Sequence, residues 1–536
     1  MTRRIRATSY DGSMRRPPFA VVGVLLAGCA VLAGCGDGIN EGANEGRGPR
    51  GTIDGVVLQA PASSAPVTEP TGVPATDPSA QLDPFGWQQA EDGIDEGFLD
   101  VPLDWTHPDG DTVTLYLARH RATDPAHRIG ALLVNPGGPG FGGSDLAFNA
   151  DSTYGQDLLD RFDIIGWDPR GTGLSEPAVN CIDDYDPYFA VDSSPDTDAE
   201  RQTLIDLGKK FGAACERTNA SLLPYLSTAD TARDMDAIRN ALGESTISYF
   251  GFSYGSELGA TWATLFPSTV RAMVIDGAVD PTVGYLQQNL QQAAGFETAF
   301  NTFLADCSAR TACPFHNGGD AEGAFDALNA AIDATPVSSG RTGRPNVTQG
   351  VLTSGIAQAM YDRSGWPQLA QALADLQAGD GAAMLDLYDM YYGYYQGSWD
   401  DSLEAYFAIG CLDDSGSTGP ANLFGHEAEF AKVAPRLGRS WLAELTFCSV
   451  WPEPAAPTIT ITGNGAGPIL VVGTTGDPAT PLESTRHMAQ ALEDGHLVVV
   501  QAEQHTGYGT NRCVDDAVDT YLLDPSADLP TDIDCT

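Results

Sequence analysis

The chain has 536 residues, of which 28 are basic and 72 acidic, for a formal net charge of −44. A charge of that size and sign argues against nucleic acid and anionic lipid surfaces as partners. It suits a cationic ligand such as a free peptide amino terminus, and equally a solvated surface with no partner. At this length one decorated α/β domain can hold most of the chain.

Arg3, Arg4, Arg6, Arg15 and Arg16 precede an apolar stretch from Phe19 to Gly34. The stretch is short for a bilayer span and has the layout of a secretory signal. It ends in Leu32-Ala33-Gly34-Cys35, which resembles a bacterial lipobox, in which the cysteine is lipidated after cleavage. A second tetrad, Leu26-Ala27-Gly28-Cys29, competes with it. Cys35 is favoured because polar residues follow it, whereas cleavage at Cys29 would leave an apolar segment. The expectation is an exported protein held to the outer leaflet of the cell membrane by a lipid on Cys35, with plain secretion as the alternative. Residues 36–82 are rich in Gly, Ala, Pro, Ser, Thr and acid, and such a segment buries too little apolar surface to offset its ordering entropy. It is expected to be a flexible tether.

Phe98 to Leu103 and Thr112 to Leu117 alternate around Asp109-Gly110, which predicts an antiparallel hairpin at a sheet edge. Largely apolar runs follow at Gly130 to Val134, Phe162 to Trp167, Ile247 to Phe250 and Ala272 to Asp276. Runs of this kind suit parallel strands buried on both faces. Helical stretches lie between them, with Thr231 to Leu242 the plainest. After Pro281 the rhythm gives way to amphipathic helix, such as Gly323 to Ala334, and strands resume at Pro468 to Gly473 and His496 to Val500. The predicted class is α/β, a mostly parallel doubly wound sheet with an inserted helical cap. The expected divisions are a signal with lipobox (1–35), a tether (36–82), a first part of the core (83–281), a mainly helical cap (282–467) and a C-terminal part of the core (468–536).

Setting aside Cys29 and Cys35, eight of the ten cysteines remain (10 − 2), and an even number in an exported chain suggests disulfides. The simplest pairing joins sequence neighbours: Cys181 with Cys215, Cys307 with Cys313, Cys411 with Cys448, and Cys513 with Cys535. No His/Cys cluster supports a metal site, and no cofactor is expected.

Gly251-Phe252-Ser253-Tyr254-Gly255 sits between an apolar strand and a small-residue helix. A strand–Gly-x-Ser-x-Gly–helix turn exposes its serine as a nucleophile. A serine hydroxyl is inert without a base, which an acid must in turn orient. Of eight histidines, His505 lies in the loop directly after the last predicted core strand, where open α/β sheets place their chemistry. Asp477 ends the strand before it. The order Ser253, Asp477, His505 is that of a hydrolase triad on this architecture. Tyr254 is the expected first oxyanion donor. The second is expected from Asn135-Pro136-Gly137-Gly138-Pro139-Gly140, with Gly138 the choice. A phosphate loop is disfavoured, because no Gly-Lys-Ser/Thr follows.

The same loop is similar to the His-Gly-Gly-Pro-Gly loop of proline iminopeptidases, with Asn135 in place of His. Asp168-Pro169-Arg170-Gly171-Thr172-Gly173-Leu174-Ser175 resembles their Asp-x-Arg-Gly-x-Gly-x-Ser turn. With the Ser253 turn and Gly476-Asp477-Pro478-Ala479-Thr480-Pro481, the chain from Trp87 to Cys535 resembles the secreted tripeptidyl aminopeptidases of actinobacteria and their envelope-bound relatives. The resemblance implies an α/β-hydrolase fold and a peptide substrate: a serine peptidase releasing short peptides, tripeptides foremost, from free N-termini. Two alternatives stand beside it: a cell-envelope carboxylesterase or lipase using the same triad, and a non-catalytic envelope lipoprotein that binds peptides.

A buried ammonium requires a carboxylate partner. Asp413 and Glu297, both in the predicted cap, are the candidates. Glu257, one helical turn past Ser253, reads as structural, and Arg170 reads as a brace below the site. The aromatic stretch Tyr388, Tyr391, Tyr392, Tyr394, Tyr395 and Trp399 suits an apolar side chain, and packing of the cap equally well.

Overall fold

The computed structural model describes residues 83–414, 419–526 and 529–535. The signal, both lipobox cysteines and the tether lie outside them. The strands are β1 (Gln88–Glu91), β2 (Ile94–Pro102), β3 (Thr112–His120), β4 (Gly130–Asn135), β5 (Phe162–Asp168), β6 (Ile247–Phe252) and β7 (Val270–Asp276). They continue as β8 (Tyr394–Tyr395), β9 (Ser398–Trp399), β10 (Ile469–Thr474), β11 (Gly495–Val500) and β12 (Asp532–Cys535). Ten of these form one sheet in the order β1-β2-β3-β5-β4-β6-β7-β10-β11-β12, while β8 and β9 pair separately.

The expected hairpin is β2–β3, antiparallel at the sheet edge, and β3 continues antiparallel onto β5. From β5 to β12 every pairing is parallel. The apolar runs follow from this: Leu132 and Val134 of β4 feed one core cluster, Ala131 and Leu133 the other, so both faces are covered. β4 has β5 on one side and β6 on the other, so the chain reverses direction of winding there. At such a switch point the loops after adjacent strands diverge and leave a crevice.

Helix starts follow side-chain caps. The helix expected from Thr231 runs over Thr228–Ala241, because Ser227 caps it by accepting from the Asp230 N–H. Likewise Asp320 caps Ala321–Ala334 through the Gly323 N–H. From β7 to β10 the described chain is mostly helix, with the short β8–β9 hairpin among it.

Two features were not anticipated. The helix Asp198–Asn219, inside the segment assigned to the core, packs against the cap helix Thr446–Ser449. Glu404 of the cap accepts from the N–H groups of Cys181 and Ile182 at 2.5 and 3.0 Å, joining the two regions. β12 adds a parallel edge strand beyond β11, and the Cys513–Cys535 disulfide ties it to the helix Arg512–Leu523. The other disulfides are Cys181–Cys215, Cys307–Cys313 and Cys411–Cys448, so the neighbour pairs expected are the pairs formed.

Candidate active site

Parallel register sets Asn135 of β4 beside Gly251, Phe252 of β6 beside Asp276, and Asp276 of β7 beside Val472 of β10. The loops that leave these strand ends therefore emerge side by side. Ser253 occupies the turn out of β6 with φ 55° and ψ −124°, a conformation a side chain adopts at a cost of about 1–3 kcal/mol. Its N–H donates to the Asp276 carbonyl at 2.8 Å. The turn is possible because Gly251 has no Cβ, which would stand 2.4 Å from the Gly255 carbonyl oxygen. Ser253 caps the helix Tyr254–Leu265, and as its first residue Tyr254 has an N–H with no intrahelical acceptor.

Against this turn lies the loop after β4. Gly137 has φ +96°, and a Cβ there would come 2.5 Å from the Phe252 carbonyl oxygen and 2.9 Å from Ser253 Cβ. Only glycine permits that approach. Asn135 fixes the loop by accepting from the Gly137 N–H at 2.9 Å. Gly138 follows, also at positive φ.

His505 is buried in the loop after β11, and its Nδ1 lies 2.9 Å from each oxygen of Asp477. Asp477 is itself buried and well supplied with donors, accepting from the N–H groups of Ala479 and Thr480 and from Thr480 Oγ1. Burial pulls the His505 pKa down; the Asp477 charge and hydrogen bond, with Asp276 behind, outweigh it, and the net shift is upward. Among the described residues Nε2 is buried without a hydrogen-bond partner, so with Nδ1 engaged it is the nitrogen open to accept a proton.

Residues that sequence reasoning missed hold this arrangement. The Asp276 carboxylate accepts from the N–H groups of Gly507 and Tyr508, while its carbonyl holds Ser253, so one residue ties the serine turn to the histidine loop. Burial pushes its carboxyl up to about 6. Its sequence signal was an acid closing the apolar run Ala272 to Ile275. Thr480 lies within 3.3 Å of His505 Nδ1 as well as bonding Asp477. The backbone carbonyl of Tyr361 in the cap accepts from the His505 backbone N–H at 2.8 Å, and the Tyr361 ring meets the imidazole edge-on at 5.6 Å; nothing in its local sequence marks it.

The two candidate ammonium acceptors fare differently. Glu297 belongs to the helix Tyr285–Ala309, and its carboxylate accepts from the N–H groups of Arg436 and Leu437 with the Arg436 guanidinium 3.6 Å away. Through its Oε2 it anchors the start of the helix Gly438–Glu444. Asp413 closes the helix Ser402–Asp413 and accepts from both the N–H and the hydroxyl of Thr228. The same hydroxyl meets the Tyr254 phenol at 2.5 Å. Asp413 thus adjoins the site, with its carboxyl committed to Thr228 and pushed up to about 7 by burial. Arg170 is fully buried in a two-pronged pair with Asp234, at 2.6 and 2.7 Å, and touches no part of the crevice. In the aromatic stretch, Tyr388 and Tyr394 pack on Trp399, whereas Tyr391 and Tyr392 line a cavity together with Tyr188, Phe189 and Leu204 from the segment before β6.

Residues 130–317 match the family described as the alpha/beta hydrolase fold, and residues 434–535 that described as TAP-like protein. The chain is 34% identical over 445 residues to serine protease Hip1 of Mycobacterium tuberculosis, covering 80% of this chain and 84% of that one. It is 34% identical over 449 residues to carboxylesterase B of the same species, covering 82% and 85%. Tripeptidyl aminopeptidase of Streptomyces coelicolor is 32% identical over 461 residues, 82% of each chain.

Proposed function

Because the chain belongs to the tripeptidyl aminopeptidase-like branch of the α/β-hydrolase family, we propose that this serine peptidase releases short peptides, tripeptides foremost, from free N-termini. In this reading Ser253 Oγ attacks the scissile carbonyl as His505 Nε2 takes its proton. The tetrahedral oxyanion accepts from the N–H groups of Tyr254 and Gly138. His505 then returns the proton to the leaving amine, and a water molecule activated by the same nitrogen releases the acyl group from Ser253. Asp477 keeps the Nδ1–H tautomer and balances the imidazolium. Removing one oxyanion donor of this kind costs about 3–4 kcal/mol of barrier.

The observation that carries the reading is the symmetric Asp477–His505 contact beside a positive-φ serine at the sheet's switch point. The test is hydrolysis of Pro-, Ala-Pro- and Ala-Ala-Pro-p-nitroanilide, each with and without an N-terminal acetyl block. Preference for the unblocked tripeptide is the expected result; indifference to length and block sinks it.

A carboxylesterase reading is favoured by the equal identity to carboxylesterase B. Brisk p-nitrophenyl ester cleavage beside no anilide turnover would select it. Failure of a fluorophosphonate to label Ser253 would instead leave a peptide-binding protein without catalysis.

The enzyme acts outside the cytoplasm on the outer leaflet of the cell membrane, anchored through Cys35; the signal layout and Leu32-Ala33-Gly34-Cys35 support this. Cys35→Ala is expected to move it from the membrane to the soluble fraction, and retention on the membrane would discard the anchor or transfer it to Cys29.

A further inference from the structure

A single cap helix, Ser402–Asp413, reaches both sides of the expected oxyanion site. Its first turn lies against the loop after β4. Gly140, two residues past Gly138, has φ +93°, and a Cβ there would run into the Ser402 carbonyl oxygen and stand 2.6 Å from the Tyr406 nitrogen. The last residue of the helix, Asp413, reaches the serine turn through Thr228. Both Asp413 oxygens lie 3.1 Å from the Thr228 N–H nitrogen, and one accepts from the Thr228 hydroxyl at 2.6 Å. That hydroxyl oxygen stands 2.5 Å from the phenol of the buried Tyr254.

A carboxylate only accepts, so the one Thr228 hydroxyl proton points to Asp413 and the Tyr254 phenol donates to Thr228. Every donor in the chain Tyr254–Thr228–Asp413 is thus aligned toward the charge, and each bond polarises the next. The helix that ends in Asp413 does not account for an acid there, since its terminal carbonyls already carry partial negative charge. The start of a different helix does: the first N–H groups of Thr228–Ala241 have no intrahelical acceptor. Asp413 therefore grips the core from the cap. Its own helix is fixed in turn, because Glu404 holds the N–H groups of Cys181 and Ile182 and Cys411 is bridged to Cys448.

We infer that Asp413 is a positioning residue for the oxyanion site: through Thr228 it fixes the Tyr254 phenol and so aligns the Tyr254 N–H, while the first turn of its helix buttresses the loop that carries Gly138. The inference rests on the Ser253 chemistry proposed above and holds for its peptidase and esterase forms alike. It requires no contact between Asp413 and substrate. The oxyanion forms only after Ser253 attacks, so misalignment of a donor acts on the chemical step and not on substrate binding.

The experiment measures kcat and KM for Ala-Ala-Pro-p-nitroanilide and for a p-nitrophenyl ester, together with the rate at which a fluorophosphonate labels Ser253. Active sites are counted from the end point of labelling, so that any misfolded fraction drops out. Thr228→Val keeps the side-chain volume and deletes the hydroxyl; Tyr254→Phe keeps the ring and deletes the phenol oxygen. Each is expected to lower kcat on the better substrate and the labelling rate about tenfold, part of the roughly 10²- to 10³-fold cost of losing a whole donor, with KM changed less than about twofold. Thr228→Ser, which restores the hydroxyl, should regain most of the wild-type kcat. The double variant of Thr228→Val and Tyr254→Phe should lose no more than either single one, since both cut the same chain. Asp413→Asn should lower kcat in the same way; if it fails to fold, the two core-side variants carry the test. The assignment is overturned if Thr228→Val and Tyr254→Phe keep the wild-type kcat, if their losses multiply, if Thr228→Ser falls as far as Thr228→Val, or if Asp413→Asn acts through KM alone. A wild type that the fluorophosphonate does not label overturns the Ser253 chemistry itself, and this assignment with it.

Discussion

Both oxygens of Asp477 stand 2.9 Å from His505 Nδ1, and the carboxylate is held in that position by the N–H groups of Ala479 and Thr480. The imidazole therefore has one tautomer open to it, with Nδ1 donating and Nε2 bare. An asparagine at 477 can present its amide to Nδ1 and favour the other tautomer, in which Nε2 carries the proton and cannot take one from Ser253. Asp477→Asn is expected to lower kcat for the best p-nitroanilide peptide by about 10⁴-fold while folding normally. A loss under tenfold would assign the orienting role elsewhere.

The upward shift of His505 has a definite sign for activity. Nε2 must be neutral to act as a base, so kcat/KM falls as the imidazole protonates in acid. With a pKa raised from 6.5 by the Asp477 charge against the opposing pull of burial, the midpoint of the acid limb is expected above pH 6.5. The same shift stabilises the fold fully below pH 6.5, and that contribution is lost as pH rises through the folded-state value. In residual activity, Asp477→Asn should bring the limb down. A wild-type limb centred below 6.5 contradicts the electrostatic account.

Gly137→Ala tests the contact between the loop after β4 and the serine turn. The new Cβ would meet the Phe252 carbonyl oxygen at 2.5 Å from a backbone already at φ +96°. The loop must shift, and the Gly138 N–H shifts with it. kcat is expected to fall about 10²- to 10³-fold, the cost of one oxyanion donor, with slower fluorophosphonate labelling of Ser253. Unchanged labelling would remove Gly138 from the oxyanion site.

Arg170 is a stability residue, and its loss should separate stability from chemistry. Its buried guanidinium meets Asp234 at two points and also donates to the carbonyls of Pro102, Leu103 and Tyr225. Arg170→Met leaves the Asp234 carboxylate with the Trp105 indole N–H but without its counter-charge, strips three carbonyls of their donor, and should cost about 3–5 kcal/mol in urea unfolding. Activity per titrated active site should persist. An unchanged unfolding midpoint, or a selective loss of kcat, would refute the bracing role.

What could be read from the chain alone were features written in neighbouring residues. Largely apolar runs mark β4 to β7 because a strand covered on both faces needs apolar side chains on both. The glycines around Ser253 mark a turn because only they permit its backbone, and Ser253, Asp477 and His505 each follow a strand that can be located from its own composition. The helices begin at Thr228 and Ala321, a few residues before the stretches whose pattern reads as helix, because the side chains of Ser227 and Asp320 cap them.

The fate of each carboxylate was decided by the tertiary structure. With 72 acids in the chain, local sequence does not distinguish Glu297 from Asp276 by role. Glu297 is taken up by the backbone of Arg436 and Leu437, and Asp276 by Gly507 and Tyr508. Those donors come from segments as distant as 231 and 232 positions along the chain. A strand is dictated by the residues within it, whereas a carboxylate's charge, hydrogen bonds and accessibility are dictated by whatever the rest of the chain folds against it.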